Sequence, residues 1–281
     1  MIGKVDLLGT VAGLRRYPVK SMLGETVPVS DVTGTGLARD RGLAVVHRET
    51  GKVASAKNPR LWRGLLTLAS AATDSAVQIT RPDGKILWSN DADIDDILSE
   101  LLGQPVTLTA TPPPGATLDR ARPDEVLSRG VGAEVSLDAS QLGAGSPEGT
   151  FFDFAPVHLL TTSALSQIAD LSPRGTVEPE RYRPNIIIRT ENKGFVENAW
   201  VGEKIQIGND LTLSVMASTP RCAVPTLVHG DLPRDTNALR VLAEHNRVIP
   251  LEGLAPQPCA GVYAQVLEPG RIQLGDHVRL A

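Results

Sequence analysis

Apolar residues in this chain come in short runs, and glycine or proline closes off nearly every one. With 26 Gly and 21 Pro spread over 281 residues, few stretches are long enough to sustain an amphipathic helix, so short strands must supply most of the core. Over residues 5–110 the runs are Val11–Val19 (broken at Pro18), Thr26–Ser30, Ala44–His47, Val53–Ser55, Thr67–Ala69, Val77–Ile79 and Ile86–Trp88. Gly34, Gly36, Gly51 and the pair Asp83-Gly84 supply turns between them. This spacing predicts a small barrel or sandwich with one helix, Asp93–Leu102, closed by Gly103. Its acidic residues sit at the helix start and read as partners of the helix dipole.

Residues 111–149 change character. A TPPPG segment, a polar stretch and LGAGSPEGT predict a linker or surface excursion between two halves. The second half opens near Phe151. Helices are expected at Ser163–Leu171 and Asp235–Arg247. Strands are expected at Ile186–Ile188, Lys204–Ile207, Leu211–Val215, Val262–Leu267 and Ile272–Leu280. The fold class is therefore predominantly β (α+β), with a few peripheral helices.

Composition narrows the function classes. At 41% hydrophobic and 21% charged residues, the chain can bury a sizeable core. A net charge of −4 gives no electrostatic footprint for nucleic acid or an anionic membrane. No apolar run approaches the ~18–20 residues of a membrane span. The start, MIGKVDLLGTV, lacks the apolar core of a secretory signal. Cys222 and Cys259 are the two cysteines, too few for a disulfide framework. A reduced, cytoplasmic setting is expected.

The familiar phosphate-loop, dinucleotide, serine-hydrolase and zinc-protease motifs are absent from the sequence. The five histidines are scattered and show no ligand spacing. Three clusters remain: Lys20-Ser21 after Pro18, Arg39-Asp40-Arg41, and Arg181-Tyr182-Arg183-Pro184-Asn185 before the strand at Ile186. Each puts cations beside hydroxyl, carboxyl or amide groups at a strand end, a combination that binds phosphate well. The fourth feature is Ser214–Thr226, SVMASTPRCAVPT, a strand entering a loop held open by Pro220 and Pro225. Cys222 at its tip, beside Arg221, is either a small buried hydrophobe or a soft metal ligand. Together the four features suit an anionic cofactor bound between the halves and ligated through sulfur.

In this order, the VKS, RDR, RYRPNI and PRC motifs resemble the MOSC-domain proteins, named for the C-terminal domain of molybdenum cofactor sulfurases. The closing Cys259-Ala-Gly-Val-Tyr-Ala-Gln-Val segment with Gly275-Asp276 is also similar to that family. The resemblance implies a MOSC N-terminal β-barrel domain over 1–110, a linker over 111–124 and a MOSC domain over 125–281, closest to the amidoxime-reducing-component branch. It implies that Cys222 ligates molybdenum carried by molybdopterin. Lys20, Ser21, Arg41, Thr161, Thr162, Ser163, Arg183, Asn185, Arg221 and Thr226 would lie on the cofactor. Asp40, His229 and Asp231 are candidate proton donors on position alone, Asp40 being taken as catalytic. The implied activity is reduction of N-hydroxylated compounds, with electrons from a separate flavodoxin, ferredoxin or reductase-type protein. The alternative is a molybdenum cofactor carrier, or a sulfur-transfer protein holding a persulfide on Cys222. Thr226 is followed by Leu227-Val228-His229-Gly230-Asp231 where the eukaryotic reductases carry an acidic segment, so substrate identity does not carry over.

Overall fold

Seven strands close into a barrel in the computed structural model, which describes residues 7–281; the N-terminal part of the reading, residues 1–6, lies outside the described residues. The strands are β1 (Leu7–Arg16), β2 (Val157–Thr161), β3 (Ile186–Arg189), β4 (Lys204–Ile207), β5 (Leu211–Pro220), β6 (Gln257–Glu268) and β7 (His277–Leu280). Their order around the barrel is β2-β3-β1-β7-β4-β5-β6, and the pairs Val157↔Ala264 and Leu159↔Val262 bring β6 back to β2. Closure removes the exposed strand edges that would otherwise invite aggregation. The β2–β3 pair alone is parallel among these neighbours, and helix α1 (Thr162–Leu171) begins the crossover that a parallel pair requires.

Alternation explains which side chains fill the barrel. Ile186 and Ile188 on β3, Ile205 and Ile207 on β4, and Leu211, Leu213 and Val215 on β5 meet Val262 and Ala264 of β6 in one buried cluster. Each such side chain contributes about 1.5–3 kcal/mol when fully buried. Gly261 of β6 has φ +79°, and a Cβ there would lie 2.3 Å from His158 Nε2 and 2.4 Å from the Leu159 carbonyl oxygen. Gly261→Ala is therefore expected to destabilise the protein by about 3 kcal/mol through strain and backbone overlap. A fall in the urea midpoint at unchanged slope would measure it.

One sequence expectation changes here. β1, expected with the N-terminal half, pairs with β3 and β7 and so completes the second half's barrel. Val11 and Leu14 supply its inward face. The rest of the N-terminal half forms small antiparallel sheets of the expected short strands, with Val29–Thr33 pairing across to Gly270–Gln273. Ala44–His47 pairs with Val106–Thr109, and Ala69–Ala72, Val77–Thr80 and Ile86–Trp88 form a meander. They share a separate core with Val19, Met22, Trp62, Leu65 and Leu98.

Residues 111–124, expected to be a linker, also differ. Thr117–Ala121 is a strand paired with Leu137–Gln141, and Pro123–Arg129 is a helix between them. Leu118, Ala121 and Val126 are buried, and the Ala121 amide donates to the Lys57 carbonyl. The Pro/Gly-rich composition around this hairpin masks three buried apolar residues that anchor it.

Candidate functional site

The loops at one end of the barrel and the N-terminal half enclose a cavity of about 340 Å³. Its first wall comes from the N-terminal half: Lys20 and Ser21 after β1, Arg41, and the segment Ser55-Ala56-Lys57. The second comes from the barrel: Tyr182-Arg183 before β3, and Pro220-Arg221-Cys222 where β5 ends. β5 is bulged between Val215 and Ala217 and again between Ser218 and Pro220, which turns its end toward the cavity.

The wall is cationic. Lys20, Arg41, Lys57, Arg120, Arg183 and Arg221 line it, against a single carboxylate, Asp153. Lys20 Nζ donates to Asp153 Oδ1 at 2.6 Å and to the Phe151 carbonyl at 2.7 Å; Lys57 Nζ reaches Asp153 Oδ2 at 3.0 Å. Burial pulls Lys20 down to about 8, against the opposing pull of Asp153. Burial acts to raise Asp153 too, but Lys20 and Lys57 outweigh it and hold its carboxyl below the usual carboxylate range.

Arg183 is wedged over the Tyr17 ring at 4.1 Å and donates one bond, 2.7 Å, to the Met22 carbonyl. Its Nη2 is buried with no partner. Burial brings this guanidinium down to about 10. Arg221 donates to the Tyr182 carbonyl at 2.6 Å and leaves its Nε unpartnered. Buried guanidinium nitrogens with nothing to bond are expensive, and an anion entering the cavity would satisfy them.

Backbone strain is concentrated at the same place. Among the described residues four non-glycine residues have positive φ: Ser21 (66°), Arg39 (67°), Arg41 (50°) and Arg183 (55°). Three of the four line the cavity. Such conformations cost about 1–3 kcal/mol each and gather at ligand clamps.

Not every residue expected at the site reaches it. Lys20, Ser21, Arg41, Arg183, Arg221 and Cys222 line the cavity. Asp40 and Asn185 stand behind it. Asp40 Oδ1 accepts from the Tyr17 amide at 2.6 Å, while Oδ2 accepts from Asn185 Nδ2 at 2.9 Å and from Arg41. Asp40 is thus spent on positioning Arg41 and Asn185 and does not face the cavity. Thr161, Thr162 and Ser163 are away from it as well. Thr161 caps α1, accepts from the Ala164 amide, and donates to buried Glu197 at 2.6 Å. Ser163 bonds Thr161 at 3.0 Å, and Thr162 accepts from the Thr190 amide. The chain itself uses the helix start on which the resemblance placed the cofactor.

Thr226 closes the turn after Cys222, donating to the Ala223 carbonyl at 2.7 Å. His229 is buried behind that turn and burial brings it down to about 4. Neither His229 nor Asp231 lines the cavity. Cys259 is a core residue on β6 whose thiol burial pushes up to about 11.

Cys222 is 8% exposed and packs with Ala56, Leu66, Val224 and Leu227. Its loop is held from behind by Arg181, which is fully buried. That guanidinium donates to the carbonyls of Pro225 (3.3 Å), Leu227 (3.1 Å) and Pro233 (2.8 Å) and to Glu178 (2.6 Å). Alternate residues of one motif therefore do three jobs: Arg181 clamps the thiol loop, Arg183 faces the cavity and Asn185 holds Arg41. Sequence reasoning missed Lys57, Asp153 and His158. Lys57 carried the same signal as the other clusters, a cation beside Ser55 and Asn58. Asp153 lay at the edge of the supposed linker and carried none. His158 is buried and burial brings it down to about 3, so it stays neutral.

Two family matches decide the relationship. Residues 8–109 match the MOSC N-terminal beta barrel domain and residues 147–279 match the MOSC domain. The chain is a MOSC-domain protein. Its relatives include mitochondrial amidoxime-reducing component 1 of Homo sapiens, 27% identical over 97% of this chain and 83% of that one. Mitochondrial amidoxime reducing component 2 of Rattus norvegicus is 25% identical over 98% of this chain and 84% of that one. A crystal structure of the YuaD protein from Bacillus subtilis covers 97% of this MOSC-domain chain and 94% of its own, with 11% identity and a TM-score of 0.47, too loose a likeness to carry an argument. No helix of the described residues is long and apolar enough to cross a membrane.

Proposed function

We propose that this cavity holds a molybdenum–molybdopterin cofactor with Cys222 as the protein's thiolate ligand, and that the protein reduces N-hydroxylated compounds. The observation that carries the reading is the pairing of one cavity-facing thiol with six cations and a single carboxylate. Among the described residues no three His, Cys, Asp or Glu gather as a metal cage, so a metal here would arrive with most of its own ligands. A dithiolene-bearing cofactor with a phosphate tail brings both, and the unpartnered Arg183 Nη2 and Arg221 Nε suit its anionic groups. Such a cofactor supplies two-electron chemistry: an N–OH group, two electrons and two protons give the amine and water. The names of the amidoxime-reducing relatives support this choice of reaction.

The chain's own residues have distinct tasks in this reading. Lys20, Arg41 and Arg183 hold the phosphate, with Asp40 and Asn185 fixing Arg41. Arg221 keeps positive charge beside the Cys222 thiolate. The electrons come from a separate donor of flavodoxin, ferredoxin or reductase type. We place the protein in the cytoplasm; its curated relatives are named as mitochondrial. The test is turnover of hydroxylamine and benzamidoxime by protein from a host that makes the cofactor, driven by reduced viologen. Absence of ammonia from hydroxylamine and of benzamidine from benzamidoxime in molybdenum-loaded protein would refute the reductase reading.

The Lys20 environment gives a pH prediction. Anions bind its protonated form more tightly, and free Lys20 loses its proton as pH rises through about 8. Sulfate affinity of the cofactor-free protein should therefore be highest below pH 8. It should fall roughly tenfold between pH 7 and 9.5, one pKa unit's worth of interaction. Calorimetry on Lys20→Met should show weaker binding with that slope removed.

A further inference from the structure

Between Val248 and β6 the chain makes a loop, residues 249–256, in which large apolar side chains face outward. Ile249 is 58% exposed, Leu251 38% and Leu254 46%. Leu251 and Leu254, with Pro250, line the same cavity as Cys222. The loop is pinned beside the thiol: the Arg221 amide donates to the Pro258 carbonyl at 2.8 Å, and Pro220 pairs with Cys259. A turn from the Leu254 amide to the Leu251 carbonyl, 3.1 Å, sets the two leucines on one lip. The cavity is thus two-sided, cationic on its inner walls and apolar at this rim.

We propose that this leucine lip is the specificity element for substrate, and that it selects neutral compounds carrying a compact N–OH head on an apolar body. The inference rests on the reductase reading above. Leu251 and Leu254 remain exposed at the cavity rim, and an apolar substrate body entering there would take them out of water, which favours binding. A charged body laid on these leucines would lose its hydration with no partner in exchange, so the lip favours neutral bodies. The small head passes the lip toward Cys222, and the body stays against the leucines.

The test uses the cofactor-loaded protein, with Leu251→Ser/Leu254→Ser and, as the conservative pair, Leu251→Met/Leu254→Met. Both positions are exposed at the rim, so folding is expected to survive. For benzamidoxime, the serine pair should raise KM at least tenfold with kcat within twofold, and the methionine pair should restore it. Hydroxylamine, which has no body to place on the lip, should be unaffected. Calorimetric binding of benzamidoxime to the oxidised protein, where no turnover occurs, should weaken by the same factor. Equal kinetics and binding for benzamidoxime in the serine pair and the parent would overturn the lip while leaving the reductase reading standing. Lip-dependent binding without reduction of either compound would do the reverse.

Discussion

Replacing Cys222 by serine should abolish reduction of N-hydroxylated compounds and strip the protein of molybdenum while leaving it folded. The hydroxyl is nearly the size of the thiol, and the site is 8% exposed beside a cavity, so the fold loses little. The soft sulfur donor, however, has no replacement: among the described residues the other cysteine, Cys259, is buried on β6 outside the cavity lining. Losing even a second-layer partner of a metal ligand costs 10–100-fold, so losing the ligand should cost more than about 100-fold in turnover. Metal analysis and thermal melting on the same sample separate the two effects. Retained molybdenum and activity in Cys222→Ser would remove the thiol from the account.

Arg181→Met is expected to be the most destabilising single change near the site. The buried guanidinium satisfies three carbonyls and Glu178. Methionine fills much of the volume but leaves the Pro225 and Pro233 carbonyls without donors, while Glu178 keeps Arg174 and the Leu227 carbonyl keeps His229 Nδ1. Breaking a buried charge network from one side costs about 3–5 kcal/mol, or roughly 10 °C in melting temperature. The segment from Cys222 to Pro233 should then show faster amide hydrogen exchange than the barrel strands, because Arg181 is what ties it down. Arg181→Lys should rescue little, since one ammonium cannot reach the same spread of acceptors. A melting temperature within 2 °C of the parent, far inside the roughly 10 °C loss expected, would show that the loop holds itself.

The barrel was legible in sequence where alternation was clean. Lys204–Ile207 is a strand with the expected bounds, and Leu211–Val215 is the start of a longer one. β1 was read with the N-terminal half, as the family match over residues 8–109 also has it, but its pairing with the barrel was not legible, because alternation reveals a buried face and not what it packs against. The hairpin Thr117–Gln141 was lost because glycine and proline on either side outweighed Leu118 and Val126 in any local reading. At the site, cations at strand ends were the productive signal and located most of the lining. Which of Arg181, Arg183 and Asn185 faces the cavity depends on a positive φ at Arg183, a tertiary choice that no spacing rule predicts. Thr161 to Ser163 misled for a comparable reason: a helix start binds an anion only if the chain leaves it open, and here Thr161 itself caps the helix while bonding Glu197.

The most direct measurement is the molybdenum and pterin content of the full chain purified from a host that makes the cofactor. The account predicts close to one of each per chain. Folded protein with neither, from a host whose other molybdenum enzymes are loaded, would contradict it.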